Sequence, residues 1–148
     1  MKNMELDKNI RYCLDTNILV YAVNQESGFY GLANGVIDLV NDSAFSIFIT
    51  DKTLYEYYAV VKNILPEKAL LSFNELLEIF DGKILRSTEN TIKLVQNLLL
   101  ESKTNSKGKY IHDLVLAAIC IDNRIDCLIT QNAKDFENIP MLKIQTLE

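Results

Sequence analysis

Short unbroken apolar runs alternate along the chain with longer stretches whose apolar positions recur at helical spacing. That alternation predicts an α/β domain with a mostly parallel sheet. Arg11 to Leu14 predicts a first strand, closed by Asp15, Thr16 and Asn17, three residues able to cap a helix. The helix continues through Ile18, Leu19, Tyr21, Ala22 and Val23. After a loop from Gln25 to Gly31, Leu32 to Val40 carries apolar residues at 32, 33, 36, 37, 39 and 40 and predicts a second helix.

Phe45 to Ile49, rich in aromatic and β-branched residues, predicts the second strand, and Thr50-Asp51 starts a helix running to about Leu65. Pro66 separates it from a helical stretch reaching Phe80, in which Ser72 and Glu75 have capping-box spacing and predict a break. Asp81-Gly82 is a stop, Lys83 to Leu85 a brief third strand, and Thr88 to Glu101 a further helix. Ser102 to Lys109 has no apolar residue and predicts a flexible loop. Tyr110 to Asn123 is apolar on nearly every face and predicts the central buried helix. Cys127 to Thr130 predicts a fourth strand, Gln131 to Asn138 a polar turn region and Leu142 to Gln145 an edge strand. The expectation is one domain over residues 1–148, with a parallel sheet of four or five strands.

Length supports that expectation, since a chain of 148 residues should bury roughly 70% of the surface its unfolded state exposes and needs no metal or disulfide staple. Charge changes the functional picture more. Fifteen Lys and Arg against 20 Asp and Glu give a net charge of −5, which argues against gripping nucleic acid through an overall basic field. Clustered carboxylates that hold divalent cations against phosphates remain compatible with that sign. Cys13, Cys120 and Cys127 are an odd number without CxxC spacing and sit in apolar runs, as small buried hydrophobes of a reducing compartment do. The polar start and a longest apolar run of Leu114 to Ile121, far short of the ~20 residues a bilayer needs, predict a cytoplasmic protein without membrane contact.

The positions of the acids matter more than their number. Asp15 follows directly on a buried strand, and open parallel sheets bind ligands at the carboxyl ends of their strands; a helix N-cap is the plainer account of it. Asp113 lies in the first turn of the most apolar helix, close to the core, where a carboxylate is costly unless paired, hydrogen-bonded or bound to a cation. The Thr130 to Asp135 segment brings a hydroxyl, an amide and a carboxylate just past another strand. In its helix Leu54, Tyr57, Tyr58, Val61 and Leu65 make the core stripe, and Glu56 projects about 200° around from Leu54, with Ala59, Val60 and Asn63 beside it. Periodicity alone makes it a solvated glutamate. His112 is the sole histidine and has no evident nucleophile partner. No Walker loop or GxGxxG occurs.

Four segments together carry a family resemblance: Leu14-Asp15-Thr16-Asn17 after the first strand, Glu56 after the second, Asp113 ahead of Leu-Val-Leu-Ala-Ala, and Leu-Ile-Thr-Gln-Asn-Ala-Lys-Asp-Phe near the end. In order and spacing the chain resembles a PIN domain over about residues 11 to 139, and most of all the VapC-type toxin ribonucleases. The resemblance implies a three-layer α/β/α fold and an acidic pocket that binds Mg²⁺ or Mn²⁺ and cleaves single-stranded RNA. Asp15, Glu56 and Asp113 match the three principal acids, which would be both metal ligands and catalytic groups. At the fourth acidic position the family often has Asp two residues after the strand-end Thr, where this chain has Asn132; Asp135 is the nearest carboxylate, and the choice between one ion and two stays open. Asn17, Thr130 and Asn132 would orient ligands or water through hydrogen bonds, and Lys107 and Lys109, on the loop just before Asp113, would contact the RNA backbone, with a solvated loop the plainer account of the two lysines. A small antitoxin protein and a homodimer are the implied partners, to which Tyr55, Tyr57 and Tyr58 add aromatic area on one helix, with core packing the plainer account of at least two of them.

Two other readings compete. A binding module that keeps the fold without the chemistry is suggested by Asn132. An aspartate nucleophile for phosphoryl transfer, as in haloacid-dehalogenase-like enzymes, would use Asp15, but that family carries a second Asp two residues on, where this chain has Asn17.

Overall fold

The computed structural model describes residues 4–101 and 110–148. Its five strands form one parallel sheet: β1 (Arg11–Leu14), β2 (Ser46–Thr50), β3 (Ile84–Leu85), β4 (Cys127–Ile129) and β5 (Lys143–Gln145) lie in the order β3-β2-β1-β4-β5. Six helices cover it: α1 (Thr16–Val23), α2 (Tyr30–Asp38), α3 (Asp51–Ile64), α4 (Ala69–Ile79), α5 (Glu89–Glu101) and α6 (Tyr110–Asp122). Among the described residues no helix is long and apolar enough to cross a membrane.

Strand periodicity sorts the side chains into two cores. Tyr12, Leu14, Ile47, Ile49, Cys127 and Ile129 face one side and pack with Ile18 and Leu19 of α1, Val36 of α2, Leu54, Tyr57 and Val61 of α3 and Leu76 of α4. Cys13 and Leu128 face the other side and pack with Leu114, Leu116, Ala117 and Cys120 of α6, with Phe48, Leu85 and Leu98 partly buried against them. Because both faces are covered, the strands read as continuous apolar runs. The three-layer α/β/α expectation holds, and all three cysteines are free and buried.

Local chemistry sets the element ends near the site. Asp15 caps α1, its carboxylate accepting from the Thr16 amide at 2.7 Å. Thr50 caps α3 in the same way, accepting from the Thr53 amide at 3.0 Å. Beyond α6, Arg124 takes a left-handed conformation at φ 57°, which lets the Ile125 amide reach back to the Cys120 carbonyl at 2.9 Å and end the helix.

Two local expectations are corrected. Ser72 does not break the Pro66 to Phe80 stretch: it is buried inside α4 and donates back to the Ala69 carbonyl at 3.2 Å, so a capping-box pattern here is a helix-interior hydroxyl satisfied locally. The second helix begins at Tyr30 and ends at Asp38; Val40 is fully buried in the following turn, so its place in the apolar pattern reflects burial rather than helix. Of the three tyrosines on α3, Tyr57 is core, Tyr58 half-buried against Phe73, and Tyr55 is 67% exposed.

Candidate active site

In this strand order β1 has β2 on one side and β4 on the other. The chain therefore leaves β1 in opposite directions, and a crevice opens past its carboxyl end. Asp15 stands immediately beyond β1 and Thr130 immediately beyond β4. The Asp15 amide donates to the Ile129 carbonyl at 3.0 Å, locking the two strand ends together. Thr130 is fully buried, and its hydroxyl is a junction. It donates to Asp15 Oδ2 at 2.7 Å and accepts from the Asn132 amide at 3.1 Å and from Asn17 Nδ2 at 3.4 Å.

Glu56 reaches the same place from α3. Its Oε2 accepts from Thr16 Oγ1 at 2.8 Å, and its Oε1 pairs with Lys52 one turn earlier, the two side chains being 45% and 20% exposed. The glutamate that periodicity assigns to solvent is thus at a rim, solvated on one side and oriented on the other. Asp113 enters from the first turn of α6, and Asp135 from the short 3₁₀ turn Ala133–Asp135 after β4. Asp15, Asn17, Glu56, Asp113, Asn132 and Asp135 line one open cleft of about 550 Å³. Lys107 and Lys109 lie outside the described residues.

The electrostatics follow from that convergence. Burial raises the Asp15 carboxyl above its usual range, against the opposing pull of the Thr130 and Thr16 hydrogen bonds, with Glu56 adding to the rise. Asp113 is pushed up to about 6, first by desolvation and then by the charges of Asp135 and Asp15, with Glu56 contributing and Lys52 opposing. Four carboxylates sharing a cleft with, among the described residues, one nearby amine make a site that favours added positive charge. Asn17 Oδ1 is buried beside them without a hydrogen-bond partner among the described residues, an acceptor whose desolvation they leave uncompensated. A donor set dominated by carboxylate and amide oxygens suits Mg²⁺ or Mn²⁺. Among the described residues no three His, Cys, Asp or Glu side chains stand close enough to form a finished ligand cage. The fit therefore lies in donor type and charge, with the carboxylates engaged by Thr16, Thr130 and Lys52.

Two parts of the cleft were not foreseen as site residues. His112 lines it beside Asp113, and one wall is apolar, made by Val20 and Tyr21 of α1 with Ala59 and Val60 of α3. Ala59 and Val60, already marked as neighbours of Glu56, were the one sequence signal of that wall.

An open parallel sheet with an acidic cleft at its switch point defines a class of α/β proteins that handle ligands at the strands' carboxyl edge. A family model described as PIN domain matches residues 11–134, and the chain belongs to that family. It is similar to solved structures of toxin–antitoxin proteins. VapBC2 from Rickettsia felis, bound to a DNA fragment from its promoter, matches at 26% identity over 93% of this chain and 98% of that one, with a TM-score of 0.70. VapBC-1 from nontypeable Haemophilus influenzae matches at 22% identity over 93% and 98%, TM-score 0.67. VapC20 from Mycobacterium tuberculosis, described as a Sarcin-Ricin loop cleaving toxin, matches at 12% identity over 79% and 86%, TM-score 0.58. The latter two speak for the fold. Among curated proteins none matches the sequence.

Proposed function

We propose that this protein is a divalent-metal-dependent endoribonuclease that cuts single-stranded RNA and is the toxin of a toxin–antitoxin pair. The observation that carries the reading is the convergence of Asp15, Glu56, Asp113 and Asp135, from four separate elements, on one cleft at the carboxyl edge of β1 and β4. A neutral ligand gains little from so many acids, and an anion such as a phosphodiester is repelled by them unless a cation intervenes. A divalent cation gains directly, and with it in place the phosphodiester gains too.

Asp15, Glu56 and Asp113 would hold Mg²⁺ or Mn²⁺, which when bound supplies Lewis-acid activation of water and neutralises charge on the phosphate. The remaining chemistry belongs to the chain. Thr130 fixes one oxygen of Asp15 and Thr16 one oxygen of Glu56, so both carboxylates are oriented before substrate arrives. Asp135 adds charge beside Asp113 and serves as the fourth acid, with Asn132 presenting an uncharged amide at the same rim. Asn17 offers an unused acceptor to a bound water or hydroxyl. The similarity to VapBC complexes supports a small antitoxin as partner, and homodimer formation belongs to the same reading.

Purified protein should cut single-stranded RNA in Mg²⁺ or Mn²⁺, and Asp15→Asn or Asp113→Asn should lower the rate at least 10²-fold, on the order of losing one preorganised charged group in a nuclease site. Cleavage at the wild-type rate in both variants would refute the proposal.

A further inference from the structure

The cleft has two unlike halves. One is the carboxylate floor. The other is the wall of Val20, Tyr21, Ala59 and Val60, continuous with that floor within the same 550 Å³. Val60 is 39% exposed, and Tyr21 is half-buried with its ring backed by Phe29 at 5.0 Å between centroids and 40° between planes. Metal chemistry on a phosphodiester uses the floor and makes no use of an apolar wall. Holding Val60 and Tyr21 against solvent costs free energy that nothing on the floor returns.

Resting on the nuclease reading, we propose that this wall is a nucleobase subsite: the base next to the scissile phosphate lies against Tyr21 and Val60 while its phosphate faces the acids. The size of the surface favours a base over a protein. Four side chains offer far less than the roughly 800 Å² per partner of a stable protein contact, whereas one nucleotide fills a recess of this scale. The chemistry agrees. Single-stranded nucleic acids are gripped by stacking on aromatic rings, which tolerates any base because each has a π-face. Phe29 restricts the Tyr21 ring before binding, so little order has to be imposed when a base arrives. The wall also suits a protein of net charge −5, since part of the affinity then comes from the base rather than the phosphates.

The test compares an RNA hexamer with the same hexamer carrying an abasic nucleotide beside the cleaved bond. Binding is read by fluorescence anisotropy in Ca²⁺ and cleavage in Mn²⁺, for wild type, Tyr21→Phe, Tyr21→Ala and Val60→Ser. Removing the base should weaken wild-type binding and kcat/KM about 5- to 150-fold, the range carried by stacking on one aromatic ring. Tyr21→Ala should lose a similar factor on the intact hexamer and almost nothing further on the abasic one, Tyr21→Phe should stay close to wild type, and Val60→Ser should show the same pattern more weakly. Equal losses on both hexamers in Tyr21→Ala and Val60→Ser, or no loss in either, overturn the subsite while leaving the nuclease intact. Base-dependent binding through Tyr21 without cleavage of any RNA upholds the subsite and refutes the nuclease. An antitoxin-derived peptide that needs Tyr21 and Val60, with hexamer binding indifferent to both, assigns the wall to a protein and also overturns the subsite.

Discussion

Replacing Asp113 with Asn should make the protein more stable as it makes it inactive. The Asp113 carboxyl ionises at about 6 in the folded protein against 3.8 ordinarily, because of desolvation and the charges of Asp135 and Asp15. The folded state therefore holds a proton that the unfolded chain has already released between about pH 4 and 6, and stability falls as pH rises through that window. Above it the penalty is constant. A full shift of this size corresponds to about 3 kcal/mol, but the carboxyl keeps substantial solvent contact, and screening reduces the expected effect to about 1 kcal/mol. At pH 7.5 Asp113→Asn should thus gain about 1 kcal/mol, or about 2–4 °C in Tm for a domain of this size. At pH 4.5 about a third of that gain should remain, since Asp113 is then protonated in the native state. Urea unfolding of both proteins at the two pH values, with EDTA present, measures the difference directly. A variant less stable than wild type at pH 7.5, or a gain independent of pH, would show that the charges of the cleft do not press on Asp113 as argued.

Two further outcomes follow from the same geometry. Millimolar Mn²⁺ should raise the wild-type Tm by several degrees, because a ligand at a hundred times its Kd adds about 2.7 kcal/mol; differential scanning fluorimetry should show a smaller rise in Asp15→Asn, and an unchanged wild-type Tm would mean the carboxylates do not hold the ion. Thr130→Val removes a fully buried hydroxyl that serves Asp15, Asn17 and Asn132, and should cost about 1–3 kcal/mol in the urea midpoint together with most of the cleavage rate, whereas Thr130→Ser should retain both.

Asp15, Asp113 and the Thr130 segment were legible in the sequence because each abuts an apolar run, and an abrupt polar residue after a buried strand or inside a buried helix marks a place where the sheet ends in chemistry. Glu56 was not legible from periodicity. Its position depends on the Thr16 hydroxyl at 2.8 Å, a contact between residues forty apart that no local pattern encodes. The apolar wall was hidden for the opposite reason: Val20 and Tyr21 look like any helix face that packs inward, and only the placement of α3 against α1 turns part of that face toward the cleft. Element boundaries failed where burial and helicity part company, at Val40 and Ser72. Sheet order, which puts β4 rather than β3 beside β1 and so brings Thr130 to Asp15, is a property of the assembled sheet.

The two halves of the acid set belong to different layers. Asp15 and Glu56 are anchored to the core under α1 through α4, whereas Asp113 and Asp135 ride on the core under α6. Whatever bridges them is a rivet through the sheet's rim, joining two bodies packed on opposite faces of the strands. Its effect should spread: amide exchange in Mn²⁺ ought to slow on both faces of the molecule together, and slowing confined to the rim would mean that the bridge grips one side alone.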